Sequence, residues 1–217
     1  LNVLALDTAS GEICACLLSD DDCLFAPASA SGGAGKTRST LIIPLLRNLL
    51  SRANLEWPQL QALAFSHGPG SFTGLRIAAA TLAGLNSAMR LPVISCSSLA
   101  ITARQAGRQQ ATWVLEDARA GEAFVGCYQH GRPLRQDACI SWEEVQRRLP
   151  PAAYICQAEP PVDLDRWQRL PAKLSRSAAL AVEVRAACEG IRDLQSLPRY
   201  PAPVYLQLSQ AERQAHA

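Results

Sequence analysis

Apolar positions near the start of the chain come in short unbroken runs. Residues 2–7 (NVLALD) and 12–18 (EICACLL) flank the turn-like Thr8-Ala9-Ser10-Gly11 and predict a β-hairpin. Residues 23–26 predict a third strand, ahead of a loop of small residues. From 37 to 51 the spacing becomes helical. At about 100° per residue, Leu41, Ile42, Ile43, Leu45, Leu46, Leu49 and Leu50 spread over about 200° of the helix surface. Covering one core needs an arc of only about 100–140°. The excess predicts burial on two sides, against the helix's own sheet and against another helix or another chain. A helix sandwiched within one domain is the alternative, and Pro44 disturbs the first turns.

The next apolar run, 62–65, leads into HGPGSFTGLR at 67–76. Gly68-Pro69-Gly70 ends the strand, because proline fixes φ and glycine tolerates positive φ. Ser71 and Thr73 are good helix N-caps, and 76–89 continues as an alanine-rich helix. Residues 92–96 return as a strand, so 62–96 reads as strand, loop, helix, strand with a parallel crossover. A short helix over 99–107 follows. Strands are expected at 113–115 and 122–128, a capping-box helix at 141–149, and a helix at 177–189 with Gly190 as its cap. Prolines at 198, 201 and 203 keep 197–204 extended. No internal sequence repeat is visible.

Composition narrows the function classes. The 217 residues are 48% hydrophobic, 18% charged and carry a net charge of +2. The core is therefore substantial, and the charge is too mild to argue nucleic-acid binding by itself. The eight cysteines form no CxxC pair and no zinc spacing. Scattered thiols in apolar runs suit a reducing, cytoplasmic setting. No signal peptide and no apolar run of membrane-spanning length is read.

Several motifs invite chemistry. Ala30-x4-Gly35-Lys36-Thr37 fits a relaxed P-loop, with Lys36 on phosphates and Thr37 on Mg²⁺, and predicts a phosphotransferase or ATPase as the alternative function. A hairpin precedes it, however, and the usual first glycine is missing. His67 beside Ser71 suggests a base and a nucleophile, against the simpler reading of a loop histidine. Asp7 ends one strand before a turn, and Asp117 ends another roughly 110 residues later. Actin-like ATPases place a carboxylate near phosphate and metal in this way; two turn-capping aspartates are the plainer alternative.

These residues together resemble one family. LALDTAS at 4–10, IIPLLRNLL at 42–50, LAFSHGPGSFTGLRIAAATLAGL at 63–85, PVISCSSL at 92–99, EDARAGEAF at 116–124 and PAPVYL at 201–206 resemble, in order, the bacterial TsaB (YeaZ) proteins, relatives of TsaD/Kae1/Gcp. The signature loop is Gly68, Pro69, Gly70, Ser71, Phe72, Thr73, Gly74 and Arg76. The resemblance implies an α/β fold of two actin-like (ASKHA, ribonuclease H-like) lobes, each a mixed sheet flanked by helices. The expected division is 1–102 for a partner-binding lobe and 103–217 for a reduced lobe whose C-terminal tail packs back on the first.

The resemblance also implies a non-catalytic partner of TsaD in forming N6-threonylcarbamoyladenosine next to the anticodon of tRNAs. TsaE, an ATPase, completes the set; tRNA is met through the complex, and a homodimer through the same surface is expected when the chain is alone. No cofactor of its own is implied: ATP or ADP and metal belong on TsaD or at the shared interface. A vestigial nucleotide site would involve Asp7, Thr8 and Asp117. The partner interface would involve Leu41, Ile42, Leu45, Leu46, Leu49, Ala79, Ala80 and Ala83. The chain departs from the family at Arg38, where His is frequent, at Gln207, where Arg is usual, and at Glu116, where an apolar residue is typical. The region 152–175 is short and proline-rich, without the expected glycine motif.

Overall fold

The computed structural model of the chain describes residues 1–20, 22–26 and 38–207. Lys36, Thr37 and the small-residue loop lie outside the described residues, as does the side chain of Arg38.

The first sheet has five strands: β1 (Asn2–Asp7), β2 (Cys14–Ser19), β3 (Asp22–Phe25), β4 (Ala62–Gly68) and β5 (Val93–Ser97). Their spatial order is β3-β2-β1-β4-β5. β1, β2 and β3 are antiparallel, whereas β4 joins β1 and β5 joins β4 in parallel. The crossovers are α1 (Arg38–Arg52) and α2 (Phe72–Met89).

Alternation along the strands splits this lobe's core into two layers. Leu4, Leu6, Leu17 and Phe65 face α1 and α2, where they meet Ile42, Leu46, Leu49 and Leu82. Val3, Ala5, Cys16 and Ile94 face the other way.

α3 (Ser98–Gln105) links the first sheet to the second. The second contains β6 (Thr112–Arg119), β7 (Glu122–Gln129), β8 (Arg132–Pro133), β9 (Ala138–Ser141), β10 (Ala153–Ile155) and β11 (Gln168–Arg169). β9, β7, β6, β10 and β11 stand in the same order and sense as β3, β2, β1, β4 and β5. The two halves are thus a structural repeat with no visible sequence repeat. Mixed sheets flanked by helices, arranged twice, bear out the expected fold class.

α4 (Trp142–Arg148) starts at the Ser141/Glu144 capping box and covers one face of the second sheet, with Trp142 and Val145 against Trp113, Leu115 and Val125. α5 (Arg176–Gly190) crosses back. Its Ala179, Leu180 and Val184 fill the second layer of the first sheet. Residues 198 and 204 stay with that lobe, since Val93 N–H donates to Pro198 O at 2.8 Å and Val204 N–H donates to His67 O at 2.8 Å, whereas Leu206 packs beside Phe124 and Tyr128 and Gln207 Nε2 donates to Glu122 of the second sheet.

Some local expectations are corrected. α2 begins at Phe72 rather than at Arg76, because the Ser71 hydroxyl accepts the Gly74 N–H at 3.2 Å and caps the helix. Gly190 is the last residue of α5, and Ile191 is the cap. The region 152–175 supplies β10 and β11. Among the described residues no helix is long and apolar enough to cross a membrane.

Candidate functional site

The two lobes face each other across a cleft of about 870 Å³. The β1–β2 turn and the start of α2 form one lip, the β6–β7 turn forms the other, and 204–207 lies along the edge. The signature loop is the first lip. Its glycines are required by close backbone packing: a Cβ on Gly74 would sit 2.1 Å from Thr8 O, and one on Gly70 2.5 Å from Ala9 O. Thr8 Oγ1 donates to Gly74 O at 2.7 Å and Ser71 N–H donates to Ala9 O at 2.8 Å. The loop therefore clamps the β1 turn onto the first turn of α2.

Asp7 and Thr8 are both buried beneath this clamp. Asp7 Oδ1 accepts the Ala9 N–H at 2.9 Å, and Asp7 Oδ2 accepts Arg176 Nε–H at 2.5 Å. Each carboxylate oxygen is thus engaged within the chain. Arg176 is itself buried, at the first turn of α5. Burial alone opposes its charge; the Asp7 carboxylate reverses that and raises its pKa. Arg176 Nη1 donates to Thr102 Oγ1 at 2.8 Å, and Thr102 Oγ1 donates to Ser98 O at 3.2 Å.

From the other lobe, Gln157 Nε2 donates to Thr102 Oγ1 at 3.4 Å, and Gln157 N–H donates to Glu116 Oε2 at 3.2 Å. A buried polar network therefore runs from β1 through α5 and α3 to β6. Burial pushes the Glu116 carboxyl above its ordinary value of 4.5, while Arg176, the Gln157 N–H and the Thr102 hydroxyl pull it back. Asp117, by contrast, sits exposed on the opposite lip, where its Oδ1 accepts the Arg119 N–H at 3.1 Å. The structure thus separates the three residues of the expected nucleotide site: two are buried and engaged, and one is exposed near the end of β6.

His67 and Ser71 do not share a site. Ser71 lines the main cleft, and its hydroxyl is the α2 cap. His67 lines a second hollow of about 640 Å³ with Asp137, Tyr128 and Ser97. There, Tyr128 OH donates to Asp137 Oδ1 at 2.5 Å, and Ser97 Oγ donates to Asp137 Oδ2 at 2.8 Å. Among the described residues no group of three or more His, Cys, Asp or Glu side chains is arranged to hold a metal ion.

The eight expected interface residues divide. Ile42, Leu46 and Leu49 are fully buried in this chain's own core, so they are not surface, which corrects their assignment. Leu41 and Leu45 are half-buried at the edge of that core; Ala79 and Ala83 are half-buried, and Ala80 is exposed on α2. The wide apolar arc thus holds a buried stripe with half-exposed flanks. Arg176, Thr102 and Gln157 were not predicted from sequence. Only the departure at Glu116 pointed towards the network, since a carboxylate in an apolar strand position needs partners.

Comparison with known proteins agrees with this architecture. Residues 32–151, more than half of the chain, match the family model TsaD, tRNA N6-adenosine threonylcarbamoyltransferase. The chain is 35% identical over 132 residues to the tRNA threonylcarbamoyladenosine biosynthesis protein TsaB of Escherichia coli, covering 59% of this chain and 55% of that one. It is 38% identical over 81 residues to the protein of the same name from Buchnera aphidicola, covering 37% of each. The matched stretches span about half the length of these curated relatives or less. Among solved structures, YeaZ from Pseudomonas aeruginosa superposes with a TM-score of 0.73 at 28% identity, covering 94% of this chain and 99% of that one. With the family model matched over the signature loop, β4 and β5 of the first sheet and β6 to β9 of the second, the chain belongs to the TsaD family and, within it, to the TsaB/YeaZ group.

Proposed function

We propose that this chain is a non-catalytic partner of TsaD in forming N6-threonylcarbamoyladenosine next to the anticodon of tRNAs, by transfer of the threonylcarbamoyl group from threonylcarbamoyl-AMP. The Asp7–Arg176 pair carries the reading. An actin-like site needs the first-strand carboxylate free for metal and phosphate, and here an internal guanidinium holds it in a buried pair. Phosphate and metal chemistry then belongs to the partner or to the shared interface. What this chain offers is a surface. Ala79, Ala80, Ala83 and Gly84 on α2 carry little side-chain bulk outside the core, which allows a second helix to approach closely, with Leu41 and Leu45 of α1 beside them. TsaD is the proposed occupant, with TsaE joining the assembled complex, tRNA met through it, and self-pairing through the same face in TsaD's absence. The proposed setting is the cytoplasm.

The test is reconstitution. TsaD, its other factors and unmodified tRNA are incubated with and without this protein, and the modified nucleoside is measured by mass spectrometry. Modification should depend on this chain, and this chain without TsaD should produce none. Full activity without it, or product formed by it alone, overturns the proposal. Lys36→Ala separates the phosphotransferase alternative, which would lose its activity, from a partner protein, which would keep its effect.

A further inference from the structure

The two helices that present the partner face carry charge of one sign only. α1, α2 and the α2 cap hold Arg38, Arg47, Arg52, Arg76 and Arg90 and no Asp or Glu. Arg47, Arg52, Arg76 and Arg90 are exposed. At about 100° per residue, Arg52 falls in angle between Leu41 and Leu45 on α1, and Arg76 falls about 40° from Ala80 on α2. Arginines therefore border the apolar and small residues of the face. Elsewhere Arg104, Arg119, Arg147, Arg148, Arg169 and Arg176 each stand within ion-pair distance of a carboxylate. Among the described residues no arginine of α1, α2 or the cap does. Arg52 Nη1 donates to Phe25 O at 2.8 Å, and the Arg76 guanidinium lies 4.6 Å from the centre of the Phe72 ring; neither contact neutralises a charge.

The exposed acids on neighbouring segments do not offset these charges. Glu12 lies in the β1–β2 turn, Asp22 on β3 and Glu56 just beyond α1, and among the described residues none is ion-paired with an arginine of the face. Arg199, whose Nη1 donates to Arg90 O at 2.9 Å, adds a positive charge at the end of α2. A face of one sign discriminates between occupants. Two copies paired about a twofold axis present the same patch to each other, so arginines would meet arginines. A partner with carboxylates around its contact helices would instead satisfy them, and guanidinium takes carboxylate in a forked pair. The phosphates of tRNA are anionic too, but Leu41, Leu45, Ala80 and Gly84 give a phosphate no donor and suit a packed helix. We propose that the α1/α2 face is selective by charge: it takes from TsaD a helical face rimmed with carboxylates, and the same arginines hold off a second copy of this chain. This rests on the reading of the chain as a TsaD partner and deepens it, by naming the chemistry of the partner's surface and the reason it is preferred to self-pairing.

The test sets two salt responses against each other. Association of the full chain with TsaD is followed by stopped-flow fluorescence from about 20 to about 300 mM potassium chloride, a range over which screening becomes strong. Self-association is followed by sedimentation over the same range. The rate of association with TsaD should fall about tenfold or more as salt rises, with the dissociation rate changing far less, whereas self-association should be no stronger at low salt than at high. Arg52→Gln with Arg76→Gln should slow capture of TsaD and flatten its salt dependence; an unchanged thermal midpoint confirms that the variant folds, and Arg90→Gln alone should act in the same direction. A TsaD complex whose association is indifferent to salt or to these substitutions overturns this inference and leaves the partner reading standing. No TsaD complex at any salt overturns both. Self-association that weakens with salt, or unmodified tRNA held by the chain alone and released by the arginine substitutions, would show that the face serves another occupant and would also overturn the inference.

Discussion

Arg176 and Asp7 lie 169 residues apart in sequence, yet Nε of one is 2.5 Å from Oδ2 of the other, and both side chains are buried. The pair fastens the first turn of α5 to the end of β1, so the element that follows the second sheet is locked onto the first. Because Asp7 has Arg176 as its counter-charge and both side chains are buried, breaking the pair is worse than removing it. Arg176→Met leaves a buried carboxylate alone and should cost about 3–5 kcal/mol. Asp7→Asn with Arg176→Met should recover most of that loss. Urea unfolding of the single and double variants measures this, and additive losses would show that the two side chains do not act as a unit.

The pair also shows what the sequence can and cannot disclose. Residues 2–7, 12–18 and 62–65 declare themselves as strands because apolar runs between turn residues have few other uses. Ser141 and Glu144 declare the start of α4 because a capping box is local chemistry. β10 and β11 have no such voice. They are three and two residues long, lie among prolines, and exist only because Tyr154 pairs with Trp113 and Arg169 with Tyr154. Asp7 was legible as a strand-end carboxylate; its partner was not, because no local pattern marks Arg176 as buried. The apolar arc of α1 is wider than a narrow stripe, but sequence angles do not say which edge of the arc meets the sheet. Packing against Leu4, Leu17 and Phe65 decides that Ile42, Leu46 and Leu49 point inward.

That decision separates two substitutions that look alike in the sequence. Leu46→Asp places a charge in the first core and should destabilise the isolated protein by several kcal/mol, about 3 or more. Ala80→Glu lies on the exposed face of α2 and should change monomer stability by less than about 0.5 kcal/mol while weakening TsaD capture. Thermal unfolding of each variant alone, followed by size-exclusion of mixtures with TsaD, distinguishes core from surface. A well-folded Ala80→Glu protein that still co-elutes with TsaD would move the contact to another face.

Gly74 and Gly84 are both in α2, yet opposite outcomes are expected of an added methyl group. At Gly74 the new Cβ would lie 2.1 Å from Thr8 O, a backbone atom of the clamp, so Gly74→Ala should cost about 1–3 kcal/mol. At Gly84 nothing lies within 4 Å, so Gly84→Ala should stabilise the isolated chain by about 0.5–1 kcal/mol, since alanine loses less backbone freedom in a helix. Urea midpoints compare the two. A stabilising Gly74→Ala would mean that the turn of β1 does not rest on α2 as described.

His67 supplies a pH signature that is independent of any partner. Burial holds its imidazole below the ordinary value of 6.5, with Asp137 pulling weakly the other way. The folded chain therefore keeps the ring neutral at a pH where the unfolded chain already binds a proton. Stability rises with pH wherever the unfolded state holds more protons, so the His67 contribution is intact above the unfolded value and declines as pH falls through 6.5 towards the lower folded value. Carboxylates titrate in part of the same range, so the informative quantity is the difference between the protein and His67→Gln, which has no proton to gain. That difference should be flat above about pH 7 and should shift in favour of the glutamine variant as the solution is acidified below about pH 6.5. A flat difference throughout, from urea unfolding at closely spaced pH values, would mean that the imidazole is as well solvated in the folded lobe as in the unfolded chain. The hollow it shares with Tyr128 and Asp137 would then be open to water at the His67 ring.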